Sequence, residues 1–345
     1  MRNPESPLLN TGTVVWKSWQ KKPALGVGLG VGLAGAVALA ARYAFQRAVR
    51  QPIPDTISPA IFATRIANTS HGEIIYHISG AGEPLLFLHG IYPGASSYEW
   101  SRVYPAFAVG HEVIAPDLIG FAESERPRQG LDADAHAQAL ADFLYAVCAG
   151  RPARVAASGF GAAIALKLAV QHPDLVTSLI LYAPIGLDAS LRRIPLGLNT
   201  LAHTPLLNRF VYRNYFARKP VIRAWLARYG FSDASAITNE ILDVLVTCAN
   251  QYGAEHAMLA FLRGRLLYDV KSQLPRITQP VTVLWPASAG RFPDDLPQRL
   301  GSAIPHCRVV SAGTLGALGA LEAPERLRVL IDEVLDGPIR RADVA

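Results

Sequence analysis

Apolar residues along this chain fall into two rhythms. Short runs rich in β-branched and aromatic residues sit at Glu73–Ser79, Pro84–His89, Glu112–Pro116, Arg154–Ser158, Ser178–Tyr182, Val281–Trp285 and Arg308–Ser311. Longer stretches with helical spacing separate them. Strands alternating with helices imply a mostly parallel sheet with helices on both faces, because a parallel connection needs a crossover long enough for a helix. The alternation occupies 61–185 and 276–337. Residues 186–275 interrupt it with helical patterning, broken by Pro205 and Pro220. Lying between two strand-like runs, they predict an inserted helical lid. A last helix is expected from Pro324 to Leu335, ended by Gly337-Pro338, with 338–345 as a tail.

One stretch follows neither rhythm. Pro23 to Ala41 is 19 residues without a charge, and about 20 apolar residues cross the hydrocarbon core of a bilayer. Lys17, Lys21 and Lys22 flank it on one side and Arg42, Arg47 and Arg50 on the other. Trp16, Trp19, Tyr43 and Phe45 stand where interfacial aromatics belong. The expectation is one transmembrane helix over 23–41, a signal anchor. A polar tail over 1–22 precedes it, and a proline-stiffened linker over 42–60 follows it. Gly26 with Gly30, and Gly28 with Gly32, offer a face for a second helix. Ala38-Leu39-Ala40 admits the rival reading of a cleaved signal peptide. Near-equal basic flanks leave the side of the membrane open. The expected partner is therefore the lipid bilayer, and the expected location a single-pass membrane protein.

Composition narrows the class. Half of the 345 residues are hydrophobic and 17% are charged, which excludes a disordered chain. The 3 cysteines (Cys148, Cys248, Cys307) form no C-x-x-C pair, so neither a zinc nor a redox motif is present. The histidines show no metal-ligand spacing, so no metal is expected. Gly159-Phe160-Gly161 lacks the third glycine of a dinucleotide fingerprint, so no cofactor is expected either.

Four landmarks occur in order. Leu88-His89-Gly90-Ile91 ends a strand and is followed by Trp100. Pro116-Asp117-Leu118-Ile119-Gly120-Phe121-Ala122-Glu123-Ser124 comes next. Val155-Ala156-Ala157-Ser158-Gly159-Phe160-Gly161-Ala162-Ala163 runs from a strand into a helix. Leu321-Glu322-Ala323-Pro324-Glu325 opens the last helix. Together they resemble the α/β-hydrolase fold, in its lidded esterase, haloalkane dehalogenase and epoxide hydrolase branch, over about residues 61–337. The resemblance implies a sharp strand-to-helix turn that presents a nucleophile at the sheet's carboxyl edge. It also implies an oxyanion hole from the N–H groups of Ile91 and Phe160, in a pocket with His89 and Gly90. The local alternative for His89 is a hydrogen bond within its own turn.

The reactive groups that the resemblance calls for are missing. The nucleophile position, in the middle of Ala157-Ser158-Gly159-Phe160-Gly161, is Gly159. Ser158 stands one residue early, and one residue reverses side-chain direction in a strand. The acid position after Val281–Trp285 is Ala289, and Asp294 and Asp295 further on read as solvated loop. The base position aligns with Ala317, and no histidine follows His306. Without that imidazole nothing takes the hydroxyl proton.

From Ala189 to Ser232 there is no acidic residue. The stretch carries Arg192, Arg193, Arg209, Arg213, Arg218, Lys219, Arg223 and Arg228, against a net charge of +6 for the whole chain. A basic face with interleaved aromatics suits anionic lipid or an acidic partner. An ordinary lid with solvated arginines is the alternative. Nucleic acid is not expected, since no binding motif is present. The leading expectation is a membrane-anchored α/β-hydrolase-fold protein without its triad, a pseudoenzyme that binds or scaffolds, as in a complex of membrane protein subunits. The alternatives are an active hydrolase of small or lipid-like esters using Ser158, and a non-catalytic binder of a hydrophobic ligand.

Overall fold

The computed structural model describes residues 57–185, 196–204, 206–266, 272–287 and 295–336. Eight strands form one sheet: β1 (Ala63–Thr69), β2 (Gly72–Ser79), β3 (Glu83–Leu88), β4 (His111–Pro116), β5 (Ala153–Ser158), β6 (Val176–Tyr182), β7 (Val281–Pro286) and β8 (Cys307–Gly313). Their spatial order is β1-β2-β4-β3-β5-β6-β7-β8. The β1–β2 and β2–β4 pairs are antiparallel and all others are parallel. In β3, Leu85, Leu86, Phe87 and Leu88 are all fully buried. That continuous apolar run is what a central parallel strand, covered on both faces, requires.

The alternation of side chains splits the core in two. Leu86, Leu88, Val155 and Ala157 face one cluster, with α1 (Ala133–Cys148) and α2 (Gly159–Gln171) packed on it. Leu85, Phe87 and Ala156 face the other, with Trp100, Tyr104, Phe107, Leu327 and Ile331. Asp132 caps α1 by accepting from the Ala135 N–H at 2.8 Å. The residues of α2 are apolar almost all round, which fits a helix buried at the centre of the molecule.

Between β6 and β7 lie α3 (Leu196–His203), α4 (Leu207–Val211), α5 (Lys219–Trp225), α6 (Asn239–Ala249) and α7 (Glu255–Leu262). The chain then completes β7, α8 (Leu296–Ala303), β8, α9 (Gly319–Glu322) and α10 (Pro324–Asp336). Core and inserted helices belong to one compact unit.

The strand β1 was not anticipated: four of its first five residues are exposed and only Ala67 is fully buried, so no alternating signal marks it. The proposed membrane span 23–41, the tails 1–22 and 338–345 and most of the linker 42–60 lie outside the described residues. Among the described residues no helix is long and apolar enough to cross a membrane.

Candidate functional site

The spatial order reverses at β3, which has β4 on one side and β5 on the other. Ligands of open α/β sheets bind outside the carboxyl ends of the strands at such a switch point. Here those ends are His89-Gly90 after β3 and Ser158-Gly159 where β5 ends.

The β5–α2 turn keeps the geometry of a nucleophile elbow. Gly159 has φ +51°, in the left-handed region. Its carbonyl accepts from the Ile185 N–H at 3.0 Å. A Cβ on Gly159 would meet Gly90 Cα at 3.7 Å and Ile185 carbons at 3.9 Å, which is ordinary contact. Space for a side chain exists, and the sequence supplies a hydrogen. Two residues on, Gly161 is sterically obligatory, because a Cβ there would collide with the His89 carbonyl oxygen.

Ser158 leaves β5 on the same side as Ala156, as the pleat dictates. It is 1% exposed, and its hydroxyl donates to Glu99 Oε1. Glu99 sits on the short 3-10 turn Ser97–Trp100, which is buried throughout. Its Oε2 accepts from the Gly90 N–H at 2.8 Å. The neighbouring Trp100 indole fixes the turn by donating to the Leu88 carbonyl at 2.9 Å. Burial raises the Glu99 carboxyl to about 7, against the hydrogen bonds from Ser158 and Gly90 that favour its charged form. Burial and the nearby Glu99 charge push the Tyr92 phenol well above its ordinary value. Glu99 was missed in the sequence reading. The available signal was one carboxylate among aromatics in Ser97-Tyr98-Glu99-Trp100, just past a glycine-ended strand.

His89 is fully buried and uses both ring nitrogens locally. Nδ1 donates to the Gly90 carbonyl at 2.7 Å, and Nε2 accepts from the Leu118 N–H at 2.9 Å. Burial lowers its pKa. Ile91 and Phe160 are buried beside these turns, with Phe160 in the first turn of α2, where N–H groups lack intrahelical acceptors.

Of the other two positions, Ala289 lies outside the described residues, as does Asp294. Asp295 begins α8 and pairs with Arg299 at 3.2 Å. Ala317 is half-buried in the turn between β8 and α9. That turn is clasped by the inserted helices. The Leu318 N–H donates to the Gly230 carbonyl at 2.8 Å, and the Ser232 hydroxyl donates to the Thr314 carbonyl at 2.9 Å. Glu322 accepts from the N–H groups of Ser232, Asp233 and Gly316 at 2.9, 2.8 and 2.7 Å. From the core side, the Tyr182 hydroxyl donates to the Gly316 carbonyl at 2.6 Å.

The basic stretch does not present one uniform surface. Arg213 is buried and pairs with the buried Glu255 at 3.3 Å, so it leaves the set of surface cations. Arg209 approaches the same carboxylate at 3.9 Å. Lys219 pairs with Asp243, and Arg223 donates to the Ile237 carbonyl at 3.3 Å. Arg218 and Arg228 are exposed, the latter over the Tyr229 ring. Arg192 and Arg193 lie outside the described residues.

Among the described residues, one group of metal-type donors does converge. Donor atoms of His77, Asp117 and Glu123 lie within 4.8 Å of one another. Sequence spacing could not reveal them, because they come from β2, from the residue after β4 and from the following loop.

Comparison with known proteins agrees with this architecture. A family model described as alpha/beta hydrolase fold matches residues 83–304. The chain is 38% identical over 116 residues to the 2-hydroxymuconate semialdehyde hydrolase of Pseudomonas sp. (strain CF600), a match spanning 32% of this chain and 40% of that protein. It is 25% identical over 301 residues to the 2-hydroxy-6-oxo-6-(2'-aminophenyl)hexa-2,4-dienoic acid hydrolase of Metapseudomonas resinovorans, covering 83% of this chain and 94% of that one. A crystal structure of an alpha/beta hydrolase-fold protein from Nostoc sp PCC 7120 matches with TM-score 0.68 at 25% identity, over 80% of this chain and 98% of the other. These curated relatives are hydrolases, and with the family model spanning well over half its length, this chain belongs to the alpha/beta hydrolase fold family.

Proposed function

We propose that this chain keeps the hydrolase scaffold and binds a hydrophobic ligand or a partner without turning it over. The observation that carries this reading is Gly159: the one residue that the β5–α2 turn holds at φ +51° for presentation has no side chain. Ala317 at the base position and the absence of histidine after His306 support it. A serine hydroxyl needs a proton acceptor to become a nucleophile, and Ser158 meets its acceptor, Glu99, where both are sealed from solvent. Gly90 Cα and the Ile185 side chain give the elbow an apolar lining, which supports an apolar ligand. In the same reading, 23–41 holds the domain to a bilayer, where membrane protein subunits or anionic lipid facing Arg218 and Arg228 are its partners.

A second reading rests on one observation. The Ser158–Glu99 bond joins a hydroxyl to a carboxyl held at about 7, the protonation range of a general base. In that case the chain is a hydrolase with a displaced dyad, in line with its relatives. A fluorophosphonate probe and a p-nitrophenyl ester series on purified full-length protein separate the two. The first reading expects no adduct and no turnover. An adduct on Ser158, lost in Ser158→Ala and weakened in Glu99→Gln, establishes the second and ends the first.

A further inference from the structure

The His77, Asp117 and Glu123 cluster lies outside the elbow. His77 is 1% exposed and Asp117 is fully buried, while Glu123 is half-buried and gives the group its only partly open side. Asp117 Oδ1 accepts from the Ser97 N–H at 2.7 Å and Oδ2 from the Glu123 N–H at 3.1 Å. Each carboxylate oxygen retains further acceptor capacity. The His77 Nδ1 is engaged by the Thr64 hydroxyl at 3.0 Å. Its Nε2 is buried with no hydrogen-bond partner, and so is the Ser97 hydroxyl. Leaving such groups unsatisfied is unfavourable, and a bound ligand removes that cost.

We propose that His77, Asp117 and Glu123 bind one divalent transition-metal ion, with Zn²⁺ as the best match. One imidazole nitrogen and two carboxylate oxygens suit a borderline ion, and three protein ligands leave a fourth position for water on the Glu123 side. Bonds of about 2.0–2.2 Å place neighbouring donors nearer together than the 4.8 Å limit, so the three side chains draw in when the ion binds. The ion joins β2 to the loop after β4. That loop also carries Leu118, whose N–H is held by His89 beside the elbow. The ion therefore anchors one wall of the candidate ligand site and takes no part in bond-breaking.

The test uses full-length protein in mild detergent, stripped with EDTA and dialysed. Zn²⁺ is titrated by calorimetry, and retained metal is counted by mass spectrometry. The expectation is one equivalent, with affinity at least tenfold weaker in Glu123→Gln and in His77→Gln. Circular dichroism confirms that each variant is folded; Glu123, near the surface, is the one that keeps its fold if His77→Gln does not. His71→Gln, outside the cluster, leaves binding unchanged. Zero equivalents, undiminished binding in a folded Glu123→Gln variant, or equal loss in His71→Gln overturns the assignment.

Discussion

Replacing Glu99 by Gln isolates the buried pair at the elbow. The amide keeps the size of the side chain and an oxygen to accept from the Gly90 N–H, while its NH₂ can donate to Ser158. What it removes is a titration. The Glu99 carboxyl moves from an ordinary 4.5 to about 7 on folding. At about 1.4 kcal/mol per unit, that shift is worth about 3 kcal/mol. The sign follows from proton counting. Between these two values the folded chain holds a proton that the unfolded chain has lost, so stability falls as pH rises. The contribution is complete below about 4.5 and gone above about 7. His89 and His136, both lowered by burial, act oppositely, losing stability as pH falls below 6.5. The difference between wild type and Glu99→Gln cancels their share. Urea unfolding of both proteins from pH 4.5 to 8 should give a difference curve in which the wild type loses about 3 kcal/mol relative to the variant, with most of the change before pH 7. A flat difference curve, or one rising with pH, refutes the placement of Glu99 in a sealed pocket.

Gly159→Ser should fold without a clash, lose roughly 1–2 kcal/mol to the left-handed backbone, and still resist fluorophosphonate, since no imidazole replaces Ala317. Urea melts and probe labelling check both parts. Gly316→Ala would drive a Cβ into the Gly230 carbonyl and to 2.6 Å from Phe231 Cα; limited proteolysis should then cut near 226–236 well before it cuts wild type. Arg213→Ala leaves Glu255 buried with, among the described residues, the more distant Arg209 as its ion-pair partner, and should cost about 3–5 kcal/mol in chemical denaturation. The same change at exposed Arg218 should cost under about 0.5 kcal/mol.

Where burial was strong and periodic, the sequence announced the structure. The runs that became β2 through β8 were each placed within a residue or two; for the central parallel strands β3, β5 and β6 the reason is burial on both faces, which demands a run of apolar residues. The edge strand β1 was illegible for the opposite reason: pairing through its backbone with β2 asks little of its side chains. At the site, the glycines at 159 and 161 and the alanine at 317 were legible from the strand-to-helix and helix-opening motifs. Glu99 was not, since one carboxylate carries no periodicity and its importance comes from two partners distant in sequence, Gly90 and Ser158. Arg213 read as a surface charge for the same reason, because its partner Glu255 lies 42 positions away. His77, Asp117 and Glu123 meet only because β2 pairs antiparallel with β4.

The clasp on the inserted helices also bears on how the protein is born. Ser232 and Glu322 are separated by 90 positions in the chain. A ribosome moving at about 5–20 residues per second needs roughly 5–18 s to cover that interval. During that time the nascent helices have no carboxyl-terminal turn to close against. A transcript truncated before codon 314 would yield a protein whose cover never shuts, and such a product is a natural target for cellular quality control.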